Sequence, residues 1–72
     1  MTLQDIKPGD IVLRMIGGTI PMELKVTEVT DDIISCGGRN GWNFNRTTGG
    51  EVDEDLGWDG INRTGSTIKP KS

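Results

Sequence analysis

Two tryptophans and two arginines lie in a sequence pattern that occurs twice. Residues 41–49 read Gly-Trp-Asn-Phe-Asn-Arg-Thr-Thr-Gly, and residues 57–65 read Gly-Trp-Asp-Gly-Ile-Asn-Arg-Thr-Gly. A tryptophan face can stack on a nucleobase or anchor a protein interface, and a guanidinium offers a fork of donors to carboxylates and phosphates. The pattern therefore supplies four candidate ligand-binding residues: Trp42, Arg46, Trp58 and Arg63.

A glycine-rich loop precedes the first copy of the pattern. Residues 37–41 read Gly-Gly-Arg-Asn-Gly, and accessible backbone N–H groups in such loops can hold a phosphate. Arg39 would add a fork of donors, so Arg39 and Asn40 join the candidate ligand-binding residues. No glycine motif that opens a helix is present. The pattern thus favours ordinary turns with Trp42 in the core over a small nucleotide-like ligand.

No combination of residues predicts catalysis. A nucleophilic mechanism needs an activated Ser, Cys or Lys near a base, and the chain has no His. Cys36 ends an isoleucine-rich run and is expected to be a small buried hydrophobe. The acids of residues 51–59 lack the ligand spacing of a calcium loop, so we expect a solvated face. We therefore predict that the protein is not an enzyme and holds no cofactor or metal.

The size and charge of the chain restrict its partners. Its 72 residues make at most one domain of marginal stability. A single cysteine excludes an internal disulfide, so self-association remains as a source of added stability. The net charge of −3 disfavours nucleic acid, which needs a basic face. With neither a secretion signal nor a membrane-spanning stretch, we expect a cytoplasmic homo-oligomer that binds a protein or a small anionic ligand.

The elements that must position these residues are predicted to be β-strands. Apolar residues do not recur at helical spacing, whereas β-branched residues are frequent. Turn signals such as Lys7-Pro8-Gly9-Asp10 separate short strand-like runs. In the first strand, Arg14 is expected to reach outward, and the last strand is expected to be a charged edge. The five predicted strands cover residues 11–16, 22–29, 33–36, 42–44 and 51–54.

Five short strands joined by tight turns predict an all-β fold, a small SH3-like antiparallel β-barrel. This barrel would occupy residues 1–55. Residues 56–72 are polar and glycine-rich, and they are predicted to form an irregular C-terminal extension that docks on the barrel or on a neighbouring subunit. Because Trp58 is too large to be buried within so polar a segment, we expect it to anchor an interface.

Residues 6–44 contain a series of short motifs: Pro8-Gly9-Asp10, Gly17-Gly18, Pro21-Met22, Cys36 and Trp42. In these motifs the chain resembles a family of small bacterial proteins, the YodC-like proteins. The resemblance implies an SH3-like barrel and no particular activity. The spacing around residues 17–22, the loop of residues 37–41 and everything after Phe44 depart from the family pattern.

These patterns predict a self-associating, non-enzymatic binding module that recognises a protein or a small ligand. As the alternative, the protein would sequester a small nucleotide or a similar anion between subunits. A nucleic-acid-binding barrel is less favoured because of the negative charge. The first Asn-Arg-Thr stretch is expected to be a hairpin turn that needs no ligand, whereas the second lacks flanking strands. Trp58 and Arg63 are therefore the foremost candidates for function.

Overall fold

The computed structural model describes residues 2–17, 19–37 and 41–71. Over these residues the fold is all-β, as predicted, with seven strands in one curled antiparallel sheet. One turn of 3-10 helix, Leu3–Asp5, precedes the strands, and no helix in the described ranges is long and apolar enough to cross a membrane. The strands are β1 (Ile11–Ile16), β2 (Ile20–Val29), β3 (Ile33–Cys36), β4 (Trp42–Asn45), β5 (Glu51–Asp53), β6 (Trp58–Asp59) and β7 (Thr67–Pro70).

The order of strands across the sheet is β6-β5-β4-β3-β2-β1-β7. Strands that follow one another along the chain are neighbours, except that β7 crosses over to pair with β1. The N–H of Ile68 donates to the carbonyl of Gly49 at 2.8 Å, and the N–H of Glu51 donates to the carbonyl of Ser66 at 2.8 Å. These two bonds hold the start of β5 against β7 and curl the sheet around its core.

The hydrophobic core lies on the concave face of this sheet. Strand alternation explains its membership, because Leu24 and Val26 face inward while Glu23 and Lys25 face the solvent. Cys36 is buried, as predicted, and burial raises the pKa of its thiol to about 11. It therefore packs as a small hydrophobe. The buried apolar side chains are Ile6, Val12, Leu24, Val26, Ile34, Cys36, Phe44 and Ile68.

Strands β1 and β3 have the predicted bounds, whereas β2 begins two residues earlier than predicted, at Ile20. Pro21 lies within it, opposite Met15 of β1. The register of β2 against β3 shifts between Val26 and Glu28, and such a bulge bends a strand. One long strand can therefore pair with β1 through its first half and with β3 through its second.

The C-terminal segment differs from the predicted irregular extension. Over the described residues 56–71, it supplies β6, which pairs with β5, and β7, which pairs with β1. Strand β5 consequently has β4 and β6 as neighbours and is not the edge that its charges suggested. The signal for β7 is weak because Ile68 alone contributes a buried apolar side chain. Pairing with distant residues, rather than its own pattern, makes this segment a strand.

Candidate functional site

Both tryptophans face the concave side of the sheet, on the two strands that border β5. On β4, Trp42 alternates with the buried Phe44, which pairs with Glu51 of β5. On β6, Trp58 pairs with Asp53, which lies on the same face of β5 as Glu51. Each tryptophan is partly exposed. Two partly exposed indoles therefore flank one strand on one face.

Each tryptophan ring packs against a glycine that lies close to it in the sequence. A Cβ atom at Gly37 would lie 3.1 Å from the Trp42 ring, and a Cβ atom at Gly65 would overlap the Trp58 ring. Trp42, which was predicted to lie in the core, packs against the core and is partly exposed. Trp58 is partly buried by its own segment, because Gly65 leaves room for the indole. The two side chains are thus held in defined positions.

Arg14 of β1 joins this face and contacts Trp42. Its guanidinium carbon lies 5.1 Å from the centroid of the Trp42 ring, which is within the range of a cation–π interaction. Nε of Arg14 donates to Oγ of Ser66 at 3.0 Å, and Nη2 lies 3.3 Å from Oε1 of Glu51. Oγ of Ser66 donates to the same Glu51 oxygen at 2.7 Å. The exposed fractions of the two charged side chains are 19% for Arg14 and 6% for Glu51.

The expectation that Arg14 reaches outward is wrong, and strand alternation explains why. Arg14 shares the inward face of β1 with Val12. An inward charge costs free energy unless it is paired and hydrogen-bonded, and Glu51 and Ser66 supply both. The period of the strand could have revealed the direction of Arg14, but nothing local indicates partners so distant in sequence.

Arg46 is engaged mainly by backbone carbonyls. Its Nη1 donates to the carbonyl of Thr30 at 3.0 Å, and its Nη2 donates to the carbonyl of Gln4 at 2.8 Å. Its own N–H donates to the carbonyl of Asp32 at 2.8 Å. Nε is buried without a hydrogen-bond partner among the described residues. Arg46 therefore connects the N-terminal 3-10 turn to the turn between β2 and β3.

The remaining predicted site residues are Arg63, Arg39 and Asn40. Arg63 is exposed, and its carbonyl accepts the N–H of Asp59 at 2.9 Å and that of Gly60 at 3.2 Å. Arg39 and Asn40 lie outside the described residues. The structure thus brings Trp42 and Trp58 to one face, adds Arg14, Glu51 and Ser66 to that face, and uses Arg46 elsewhere.

Asp59 organises the loop that carries Arg63. Its Oδ1 accepts the N–H of Ile61 at 2.8 Å, that of Asn62 at 2.8 Å and that of Arg63 at 3.2 Å. These backbone donors, with Ile61 first, lower the pKa of the Asp59 carboxyl to about 2 because they stabilise its charged form. This acid therefore caps a loop in addition to carrying surface charge.

The chain has no significant match among protein-family models, curated proteins or solved structures. The resemblance of residues 6–44 to the YodC-like proteins therefore remains a prediction. Within the described ranges, no three His, Cys, Asp or Glu side chains are placed to hold a metal ion. The face around Trp42 and Trp58 combines apolar rings with a paired charge, which is chemistry suited to recognition.

Proposed function

We propose that the protein is a non-enzymatic binding module, built as an SH3-like barrel, that recognises a protein ligand at its concave tryptophan face. This face comprises Arg14, Trp42, Glu51, Trp58 and Ser66. The observation that supports the proposal most strongly is the placement of two partly exposed indoles on either side of β5. Such rings offer a large rigid apolar area and one N–H donor, which suits them to anchoring an interface.

The charges of the tryptophan face favour a protein ligand over a small anion. Glu51 neutralises Arg14, and the Nη atoms of Arg46 donate to backbone carbonyls. A nucleotide phosphate requires several charge-assisted donors, and Arg63 is the exposed arginine in the described ranges. Sequestration of a nucleotide or similar anion between subunits is therefore the alternative. Binding of nucleic acid is less favoured than either of these functions, because the chain carries a net charge of −3.

Barrel closure and self-association belong to the same proposal. The backbone bonds from β7 to Gly49 and from Glu51 to Ser66 support a closed barrel. Leu56 and Ile61, with exposed fractions of 55% and 67%, lie on either side of Trp58 in the sequence. Exposed apolar side chains beside an indole support contact between subunits. We propose a cytoplasmic homo-oligomer assembled partly through residues 56–68.

The experiment that tests recognition is affinity capture from the source cells, followed by binding of the purified partner. Trp58→Phe and Trp58→Ala probe the tryptophan face, and Ile20→Ala removes an exposed apolar side chain from the β1–β2 hairpin, away from that face. We expect wild type, Trp58→Phe and Ile20→Ala to bind the partner, and Trp58→Ala to bind at least tenfold more weakly. Equal affinities of folded wild type and Trp58→Ala would contradict the proposal.

Two further measurements separate the alternatives. Light scattering after size-exclusion chromatography gives the oligomeric state, and a strict monomer at high concentration would contradict self-association. A nucleotide that binds only the native state must raise the melting temperature by mass action. A large rise with one nucleotide at millimolar concentration would favour the sequestration alternative over protein recognition.

A further inference from the structure

The outer face of the sheet carries a groove that the proposed function does not use. Asn43 of β4 and Val52 of β5 pair across the ladder, and their side chains alternate with the inward Phe44 and Glu51. The groove has a volume of about 590 Å³. This outer groove is lined by Thr30, Ile33, Asn43, Val52, Asp53, Glu54 and Asp55.

The outer groove combines an apolar floor with a negative rim. Ile33 and Val52 are partly exposed, so a partner could remove further apolar surface from water. Glu54 and Asp55 are exposed, and neither takes part in an ion pair with any described residue. No Lys or Arg belongs to the described lining. A cation in the groove would therefore meet negative charge that the groove itself does not neutralise.

Both banks of the outer groove are held by hydrogen bonds. On one bank, Oδ1 of Asp53 accepts the N–H of Asp55 at 3.0 Å and that of Leu56 at 3.3 Å. On the other bank, the carbonyl of Thr30 accepts Nη1 of Arg46 at 3.0 Å. Ordered banks reduce the entropy lost when a ligand binds. The groove is thus built before any partner arrives.

We propose that the outer groove docks an extended segment of a partner protein that carries lysine or arginine between apolar residues. Side chains alternate along an extended segment, so apolar groups can cover Ile33 and Val52 while cations reach Glu54 and Asp55. Charge complementarity of this kind sets specificity and raises the association rate. None of the five residues that define the tryptophan face lines the outer groove, so this proposal stands or fails independently of the proposed function.

The probe is a fluorescein-labelled peptide with a central Lys-Leu-Lys-Val-Lys flanked by Gly and Ser, and its control has Glu in place of each Lys. Fluorescence anisotropy at low salt should show binding of the lysine peptide and none of the glutamate peptide. Binding should weaken as salt screens the charges. Failure of the lysine peptide to bind at millimolar protein would overturn the proposal.

Two matched variants separate the groove from the general negative field of the protein. Glu54→Gln removes a carboxylate from the groove rim, whereas Glu23→Gln removes one from the outer face of β2, where Glu23 forms an exposed ion pair with Lys71. We expect Glu54→Gln to weaken peptide binding roughly threefold to fivefold and Glu23→Gln to leave it unchanged. Equal weakening by both variants would overturn docking in the groove.

Val52→Thr tests the apolar floor with a side chain of nearly the same shape, and a thermal melt verifies its fold. Weaker binding of the lysine peptide supports the proposal, and unchanged binding contradicts it. The protein also carries exposed lysines, including Lys25 and Lys69, which could enter the groove of a second copy. If Glu54→Gln dissociates an oligomer seen by light scattering, a second copy fills the groove and the proposed partner segment is wrong.

Discussion

The two copies of the repeated pattern are stabilised by different hydrogen bonds. In residues 41–49, Oδ1 of Asn45 accepts the N–H of Thr47 at 2.8 Å and that of Thr48 at 3.0 Å. In residues 57–65, Oδ1 of Asp59 accepts three backbone N–H groups instead. The first cap closes the hairpin between β4 and β5, and the second organises the loop between β6 and β7. The two copies therefore cap different turns with residues from different places in the pattern, since Asn45 begins the Asn-Arg-Thr run and Asp59 directly follows Trp58.

The arginines of the two copies differ even more. The Nη atoms of Arg46 donate to carbonyls of two other segments, whereas Arg63 is exposed and its carbonyl accepts two N–H groups of its own loop. The first copy lies beside the N-terminal 3-10 turn, which supplies the carbonyl of Gln4. No hydrogen bond among the described residues joins the Arg63 side chain to another segment. The role of a repeated side chain is thus decided by the segments packed around it.

The copies also contact each other, so neither is an independent unit. The hydroxyl of Thr48 donates to the carbonyl of Gly60. The hydroxyl of Thr64 lies 3.0 Å from the carbonyl of Glu51 and 2.9 Å from that of Ser66. A Cβ atom at Gly60 would lie 2.8 Å from both Cβ of Asn45 and the carbonyl oxygen of Gly50. The second copy closes over the hairpin that the first copy forms.

The largest loss of stability is expected from Gly60→Ala, which breaks the contact between the two copies of the pattern. Gly60 has a φ of +77° and no room for a Cβ atom, whereas Gly57 has a φ of +75° and nothing within 4 Å. We expect Gly60→Ala to lower the free energy of unfolding by about 3 kcal/mol, from strain and overlap together, and Gly57→Ala by about 1 kcal/mol, from strain alone. Urea unfolding measures both. Equal losses would contradict the close contact.

A smaller loss of stability is expected when Arg46 or Arg63 is replaced by methionine, which keeps an unbranched apolar stem. Arg46→Met removes two hydrogen bonds that connect distant segments, so the free energy of unfolding should fall by about 2 kcal/mol. Arg63→Met should change it by less than about 0.5 kcal/mol, as at other exposed positions. Thermal and urea unfolding of the pair give the comparison. A loss at Arg63 as large as that at Arg46 would show that the two arginines are used alike.

The smallest change in stability is expected from Asp59→Asn, which gives the second copy an amide cap like that of Asn45 in the first. The folded-state pKa of Asp59, about 2, lies below its ordinary value of 3.8. The ionised cap therefore stabilises the fold fully above the unfolded pKa, and this stabilisation is lost as the pH falls from about 5 toward 2. The stability difference between wild type and Asp59→Asn should shrink over that window in urea titrations.

The reverse exchange sharpens the same comparison. Asn45→Asp places an ionisable cap in the first copy, where two N–H groups would stabilise its charged form. Its stability relative to wild type should therefore fall as the pH drops through the same acidic window. A difference that does not change with pH in either variant would mean that these caps act only as neutral acceptors.

Local sequence patterns predict part of the fold. The β-branched runs give Ile11–Ile16 and Ile33–Cys36 with correct bounds, and Lys7-Pro8-Gly9-Asp10 forms the expected turn. In it, Gly9 has a φ of +96° and Oδ2 of Asp10 accepts the N–H of Lys7 at 2.9 Å. By contrast, β7 depends on bonds to β1 and to Gly49, which are far away in sequence. No local pattern encodes such pairing.

Local sequence patterns likewise predict one part of the candidate site and not the other. The position of Trp42 follows from its alternation with Phe44 in one short strand, whereas the partial burial of Trp58 requires Gly65 and the pairing of β6 with β5. The Arg14–Glu51 pair joins the first strand to the fifth. Its existence depends on how the sheet curls, which neither charge nor spacing reveals.

The central claim is that the C-terminal segment belongs to the sheet and thereby brings both tryptophans to one face. Amide hydrogen exchange measured by NMR tests it most directly. The N–H groups of Glu51 and Ile68 donate across the junction of β5 and β7, as that of Asn45 donates to Gly50 within the first hairpin at 2.7 Å. We predict comparable protection for all three amides. Exchange of Glu51 and Ile68 at unprotected rates, with Asn45 protected, would contradict the membership of the C-terminal segment in the sheet.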